Sequence, residues 1–449
     1  MKNILVLGAG RTAFYLVNYL LEQGKKYNWT LRLGDREEEN LTIFRKESDN
    51  FTPFLFDVMN EQQACEEVKN ADVVISLLPA QFHEKVGALC LKFEKHFLSA
   101  SYVSPEFKSW EKEIADKGLY FIKETGLDPG LDHMSAVQML DDIRSKGGTI
   151  DQFLSFTGGL MSPSQQGNPW QYKFTWNPMY VVTAGRDGGN YLREGQIKRI
   201  PYHRLFEEID FLDMPGYGSF DAYYNRNSFK YVKEYGLEST DTVIRYTLRR
   251  QGFCKAWAVF VSLGLTDNNF EFDFDEPLTN RSFLNMFIRK GEESLEDRFC
   301  KAAKCQRGDE VYTKIEWLGM FDETEIPIKK GTSAVFLKEI LSQKWAMLDT
   351  DKDMIYMAHV CYYQNQGRLF KKKHFLAVEG ENKSETAMAQ TVGLPLAMAA
   401  KLVLLDKLGA PGLMIPNRPD LYQPILAELK ERGVGFQEIE EELTYLQNE

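Results

Sequence analysis

The chain has 449 residues, room for two or three domains and a large core. It carries a net charge of −11, with 43% apolar and 27% charged residues. That balance excludes a broadly basic surface for nucleic acid or anionic membrane and describes an ordinary globular protein.

Ile4-Leu5-Val6-Leu7 reads as a short buried strand. It runs into Gly8-Ala9-Gly10-Arg11-Thr12-Ala13 and then an apolar-periodic helix through Leu16, Leu20 and Leu21. This is the strand, glycine turn and helix of a dinucleotide-binding fold. Gly8 permits the tight turn, and Gly10 lets backbone approach a pyrophosphate at the helix N-terminus. A second strand, Trp29 to Leu33, ends at Gly34-Asp35-Arg36. Asp35 can accept ribose hydroxyls, which favours NAD, whereas Arg36 offers a partner for the 2′-phosphate of NADP.

Further strands are predicted at Thr52–Phe56, Ala71–Leu78, His96–Ser99 and Leu119–Ile122, with helical stretches between most of them. That alternation implies parallel pairing, which places ligands beyond the carboxyl ends of the strands. Three candidate clusters follow such strands: Pro79 to His83, Ser101 to Pro105, and Glu124 to His133. His83 reads as a helix start and Ser104-Pro105 as a capped one. Tyr102 lies at a strand end where its hydroxyl can face a cleft. Asp128-Pro129-Gly130 is a good turn, and Asp128 serves either as a helix cap or as a site group.

A second region begins near Gly130, with a helix at His133–Ser145 and a strand at Phe153–Thr157. Residues 158–238 read as loops and short strands, and 240–264 as helix. On that helix Arg245 and Arg249, four apart, share one face, either in surface salt bridges or as forks for substrate carboxylates. Residues 280–346 read as helical without clear strands. Strands return at Asp353–Tyr363 and Leu369–Val378 around an Asn365-Gln366-Gly367 hairpin signal. A long helix, Glu385–Leu408, reads as buried rather than membrane-spanning, and the acidic end at Glu438–Glu442 as solvated. The six cysteines show no Cys-x-x-Cys spacing and read as reduced thiols of a cytoplasmic protein, with no signal peptide. No HExxH, GxSxG or Walker pattern appears and no metal site is expected. A dinucleotide fold with arginines and no metal points to hydride transfer on a small anionic substrate.

Several segments carry a resemblance. They are Val6 to Gly10, Val74 to Pro79, Ser101 to Pro105, Gly126 to His133, Phe156 to Leu160, Tyr172 to Trp176, Tyr224-Asn225-Arg226, Thr247 to Phe253 and Trp317-Leu318-Gly319. Through these the chain resembles the glutamate-forming saccharopine dehydrogenases, also called saccharopine reductases, over nearly its whole length. The resemblance implies an α/β fold with an N-terminal Rossmann domain (1–130). It implies a second α/β substrate domain with a mixed sheet (131–264 and 350–384) and an inserted helical subdomain (265–349). The C-terminal part, near 385–449, packs back on the first domain, and saccharopine lies between the first two.

Carried over by motif, Ser101, Tyr102, Asp128, Arg226, Thr247, Leu248 and Arg249 touch substrate. Gly8, Ala9, Gly10, Arg11, Thr12, Gly34, Asp35, Arg36, Ser76, Leu77 and Lys173 line the cofactor. The fungal members carry a Cys-Arg pair after the second strand, suited to NADP. Gly34-Asp35-Arg36 is closer to the NAD-using bifunctional animal enzymes, so NAD is slightly favoured over NADP here. Arg249-Arg250 replaces an Arg-Tyr pair and alters the pocket rim. The implied reaction is oxidation of the secondary amine of saccharopine to glutamate and α-aminoadipate semialdehyde, or the reverse, in lysine metabolism. Asp128 and Tyr102, with His133 third, are the candidates for proton transfer in the water steps. Family habit suggests a homodimer. The alternatives are a sister imine reductase, such as a carboxynorspermidine dehydrogenase, and a nucleotide-binding protein without turnover.

Overall fold

Six apolar runs in the first 122 residues form the parallel strands that the sequence predicts. They are β1 (Lys2–Leu7), β2 (Trp29–Asp35), β3 (Phe51–Leu55), β4 (Val73–Ser76), β5 (His96–Ser99) and β6 (Tyr120–Ile122). Their spatial order is β3-β2-β1-β4-β5-β6, and a seventh strand, Gly412–Met414, pairs parallel to β6. Strands inside a parallel sheet are covered on both faces, so they read as continuous apolar runs. Ile4 to Leu7 and Val73 to Ile75 accordingly lose almost all their exposure. The order reverses between β1 and β4, the place where such sheets bind ligands.

The computed structural model describes residues 1–44, 49–165, 167–214 and 216–444. They divide into two compact units, Met1–Thr149 with His374–Ile439, and Ile150–Lys373 with the segment from Glu440 onward. The helix Leu131–Ser145 therefore sits in the first unit, and the division falls after Thr149 rather than at 130. Its inner face packs on the helix Pro419–Glu431, where the Tyr422 hydroxyl donates to Asp141 Oδ2 at 2.8 Å. The helix Ala387–Leu404 packs on α1 (Ala13–Tyr27). An ideal Cβ on Gly393 would lie 3.0 Å from Leu16 N and 3.1 Å from Thr12 O, so glycine sets how closely the two helices cross. By length and composition Ala387–Leu404 could cross a membrane, but 83% of it is buried inside the protein.

The second unit is built on a nine-stranded sheet. Its main path runs 210–214, 218–224, 242–250, 149–161, 353–365, 368–379 and 437–443. It is mixed: Thr242–Arg250 pairs parallel to Thr149–Met161 and antiparallel to Gly218–Tyr224. The expected helix over 240–264 is thus wrong in its first half. Thr242 to Thr247 is rich in β-branched and aromatic residues, which pack well on a pleated surface. Gly252, at φ +79°, then turns the chain into a helix at Phe253–Leu263. The 271–345 stretch holds four helices, as its pattern suggests, plus a two-stranded pairing of Glu271–Asp273 with Lys330–Thr332. The hairpin between Asp353–Asn365 and Arg368–Glu379 turns through Gln366 and Gly367, both at positive φ. The acidic end forms an edge strand, Gln437–Leu443, rather than a free tail.

Two features of the first unit yield tests. Gly130, at φ +147°, passes so close to Gly126 that an added Cβ would sit 2.1 Å from the Gly126 nitrogen. Gly130→Ala should lower the unfolding free energy by about 3 kcal/mol or more, read by urea denaturation; an unchanged midpoint would contradict this packing. Lys123 is 1% exposed, donates to Ser99 Oγ at 2.8 Å and lies 4.3 Å from the Phe107 ring centroid. Burial pushes its ammonium down to about 7, against the pull of the Glu124 and Glu84 carboxylates. The unfolded chain, with an ordinary lysine, binds the extra proton at higher pH, so stability rises with pH from about 7 to about 10. Lys123→Met should flatten that rise in denaturant titrations at the two ends of the window.

Candidate functional site

The first group of residues surrounds the end of β1. Gly8, at φ +103°, takes a bond from its own N–H to Gly34 O at 2.8 Å. An ideal Cβ on Gly8 would lie 3.0 Å from the Leu77 carbonyl carbon, so the turn is pressed against the end of β4. Gly10 differs: a Cβ there would meet nothing within 4 Å. Thr12 caps α1 without a side-chain hydrogen bond, and the first turn holds no acidic residue. The first N–H of α1, that of Ala13, donates to Gly10 O at 3.0 Å, and the positive end of the helix stands behind the turn. A bound dinucleotide pyrophosphate fits this turn, formed by Gly8 to Thr12.

Asp35 and Arg36 sit beside it. Asp35 Oδ2 accepts the Ala9 N–H at 2.7 Å, and Oδ1 accepts from Glu37 N at 2.9 Å and Asn40 Nδ2 at 3.1 Å. The carboxylate expected to receive ribose hydroxyls is therefore already engaged in bracing the glycine turn. Arg36 is exposed, and its Nε pairs with the neighbouring Glu37 at 3.0 Å.

A second group lies beyond β4, β5 and β6. Buried Ser76 and half-buried Ser101 are joined by one imidazole. His83 Nδ1 is 2.9 Å from Ser76 Oγ and its Nε2 is 2.8 Å from Ser101 Oγ. Burial, with the charge of Lys123, pushes His83 down to about 3, so the ring is neutral. His83 does begin a helix, His83–Lys92, but sequence reasoning missed its bridging position. Tyr102 donates to Asp128 Oδ1 over a long 3.4 Å, which brings the two proton-transfer candidates together. His133 meets Glu124. It is fully buried, with Nε2 3.0 Å from Glu124 Oε2, and Glu124 Oε1 accepts the Val103 N–H at 3.0 Å. Asp132 is buried too and accepts the Gly130 N–H at 2.6 Å. Ser104 caps the helix Pro105–Ser109 as its sequence suggests.

The second unit holds a third group on the strand Thr242–Arg250. Thr247 and Arg249 lie on one face and Leu248 and Arg250 on the other, because strand residues alternate. Arg249 is 5% exposed, with its guanidinium 4.9, 5.6 and 5.4 Å from the ring centroids of Tyr172, Tyr223 and Phe253. Nη1 donates to Leu248 O at 2.9 Å and Nη2 reaches the Tyr223 hydroxyl at 3.5 Å. Its Nε has no acceptor among the described residues, which also give it no ion pair. Burial pushes the Tyr172 and Tyr223 phenols up, so neither supplies a negative charge. Both tyrosines escaped the sequence reading, although Tyr172 stands in a quoted motif.

Three expectations about this group change. The Leu248 side chain packs toward Gly158, where an added Cβ would lie 2.7 Å away, so on the Arg249 face only its main chain is available. Arg250 does not shape a rim next to Arg249; its Nη1 donates to Tyr217 O at 2.6 Å on the opposite face. Arg245 is buried over Tyr231, with its guanidinium 4.2 Å from the ring centroid. Lys173 Nζ pairs with Asp351 Oδ2 at 2.5 Å. Arg226 is exposed in a turn at φ +51° after the strand Gly218–Tyr224. Among the described residues no cluster of three or more His, Cys, Asp or Glu could hold a metal ion.

Comparison with known proteins identifies the family. Residues 4–122 match the saccharopine dehydrogenase NADP binding domain and residues 126–434 the saccharopine dehydrogenase C-terminal domain. The alpha-aminoadipic semialdehyde synthase of Mus musculus is 32% identical over 97% of the chain. The chain spans 47% of that relative's length, about half. Saccharopine dehydrogenase [NADP(+), L-glutamate-forming] of Saccharomyces cerevisiae is 30% identical, over 97% of this chain and 99% of that one. The solved apo structure of the Saccharomyces cerevisiae L-Glu-forming enzyme superposes with a TM-score of 0.87 at 28% identity, covering 98% of this chain and all of that one. The chain belongs to the saccharopine dehydrogenase family.

Proposed function

We propose that the protein is a nicotinamide-dependent oxidoreductase that cleaves saccharopine oxidatively to L-glutamate and α-aminoadipate semialdehyde, or forms it in reverse, in lysine metabolism. The observation that carries this reading is Arg249, a buried guanidinium framed by neutral aromatic groups with no carboxylate paired to it. A buried charge is costly unless compensated, and a carboxylate of the substrate would compensate it with a bidentate pair. Saccharopine has three carboxylates, so Arg226 on the same unit has a parallel role. When bound, the cofactor supplies a hydride acceptor for the carbon attached to the secondary amine. The residues of this chain bind, orient and move protons. Gly8 to Thr12 hold the pyrophosphate, and Ser101 orients the substrate. The Tyr102–Asp128 pair handles the proton when water adds to the oxidised carbon–nitrogen bond.

For the cofactor we infer NADP in place of the NAD expected from Asp35. The engaged Asp35 carboxylate and the exposed Arg36 guanidinium support that inference, as do the NADP names of the fungal relatives. The protein is expected to act in the cytoplasm.

Three measurements test this. Purified protein mixed with saccharopine and NADP should produce the absorbance of reduced nicotinamide; silence in nucleotide-binding protein would end the assignment. Arg249→Ala should raise the saccharopine KM by about 100-fold, the loss of a charge-assisted pair, while the nucleotide KM stays within about twofold. Arg36→Ala should lower kcat/KM for NADP by about tenfold or more and leave NAD nearly unchanged. An unchanged NADP-to-NAD ratio would remove Arg36 from cofactor selection.

A further inference from the structure

His83 stands between two serines that the family resemblance assigns to different ligands, Ser76 to the nucleotide and Ser101 to the substrate. Its ring is 3% exposed and lies 6.4 Å, edge to face, from Phe97. Both ring nitrogens are within ordinary hydrogen-bond distance of a serine oxygen. Burial disfavours a second proton on the ring, and the nearby Lys123 ammonium adds to the effect. A neutral imidazole has one N–H and one lone pair on nitrogen. It cannot donate to both serines, nor accept from both.

We propose that His83 is a positioning residue that couples the two ligand sites by fixing opposite hydrogen-bond roles on Ser76 and Ser101; this rests on the function proposed above. In one tautomer Nδ1–H donates to Ser76 and the Ser101 hydroxyl donates to Nε2. Ser76 is then left to offer its O–H to a ligand, while Ser101 offers only lone pairs. In the other tautomer the roles are exchanged. A ligand that demands one role of one serine thereby sets the role of the other. No proton leaves the network, and no step of the reaction passes through the ring.

Two conservative replacements take the link apart. Asn ends in an amide at about the Nδ1 position and retains the bond to Ser76 alone. Gln reaches the Nε2 position and retains the bond to Ser101 alone. His83→Asn should raise the saccharopine KM by about tenfold, what one ordinary hydrogen bond is worth, with the nucleotide KM within about twofold. His83→Gln should do the reverse. Equal effects of both variants on both constants, or no effect, in a protein whose wild type turns over saccharopine, would overturn the coupling. A second measurement does not depend on the variants folding. The 15N shifts of the His83 ring in the wild type should report a single neutral tautomer from pH 5 to 9 and move when either ligand is added alone. Shifts that respond to neither ligand would overturn the proposal as well. If saccharopine produces no turnover but nucleotide still moves the ring shifts, the functional reading fails while the Ser76 half of the link stands.

Discussion

The arrangement beyond the strand ends of the first unit depends on one buried carboxylate. Glu124 is fully buried at φ +55°, immediately after β6. Its amide donates to Ser101 O at 3.1 Å, Oε1 receives Val103 N–H, and Oε2 meets His133. One side chain thereby ties the loop after β5 to the loop after β6 and to the helix Leu131–Ser145. A buried charge is tolerated only when its acceptor sites are filled, and here they hold the loop that carries Ser101 and Tyr102. Without that anchor the hydroxyls of this loop would have no fixed relation to Asp128. His133, which sequence reasoning offered as a proton carrier, is the residue that meets Glu124 Oε2.

Strand alternation plays the corresponding part in the second unit. Five consecutive residues, Tyr246 to Arg250, carry two arginines, yet the pleat sends their side chains to opposite faces. Arg250 ends on main-chain carbonyls of Tyr217 and Met161. Arg249 ends among aromatic rings with donors left over. The two residues are chemically identical and differ in what they meet, main-chain carbonyls on one face and aromatic rings on the other. Aromatic faces offset part of the cost of a buried guanidinium through cation–π attraction. They leave its Nε without an acceptor among the described residues.

Much of this was legible in the sequence. The six strands of the first unit lie within a few residues of their predicted places, because doubly buried parallel strands announce themselves as unbroken apolar runs. The glycine turn was legible for a related reason: its spacing is dictated by backbone contacts that only glycine allows. The strand Thr242–Arg250 was missed because a spacing of four lies on one face of a helix and also on one face of a strand. Arg245 and Arg249 could not discriminate the two. His83 was missed because its partners are 7 and 18 residues away, and nothing local distinguishes a bridging histidine from one that begins a helix. Asp35 was identified correctly as a feature of the turn, but its role depends on hydrogen bonds to Ala9, 26 residues earlier.

Asp35 shows why a motif can be recognised while its chemistry is misjudged. An acid at the end of the second strand is usually weighed by what it does to a ribose hydroxyl or a 2′-phosphate. That weighing assumes the carboxylate is unengaged. Here three hydrogen bonds, two of them from main-chain N–H groups, draw it back onto the turn and spread its charge over the protein. A carboxylate so held repels a nearby phosphate less than a solvent-facing one, because the N–H dipoles that satisfy it also screen it. The adjacent Arg36 is exposed and, among the described residues, tethered only to exposed Glu37. Exposed ion pairs of this kind are weak. Of two neighbouring charges the fold has already satisfied one, and the NADP reading proposed above rests on that difference.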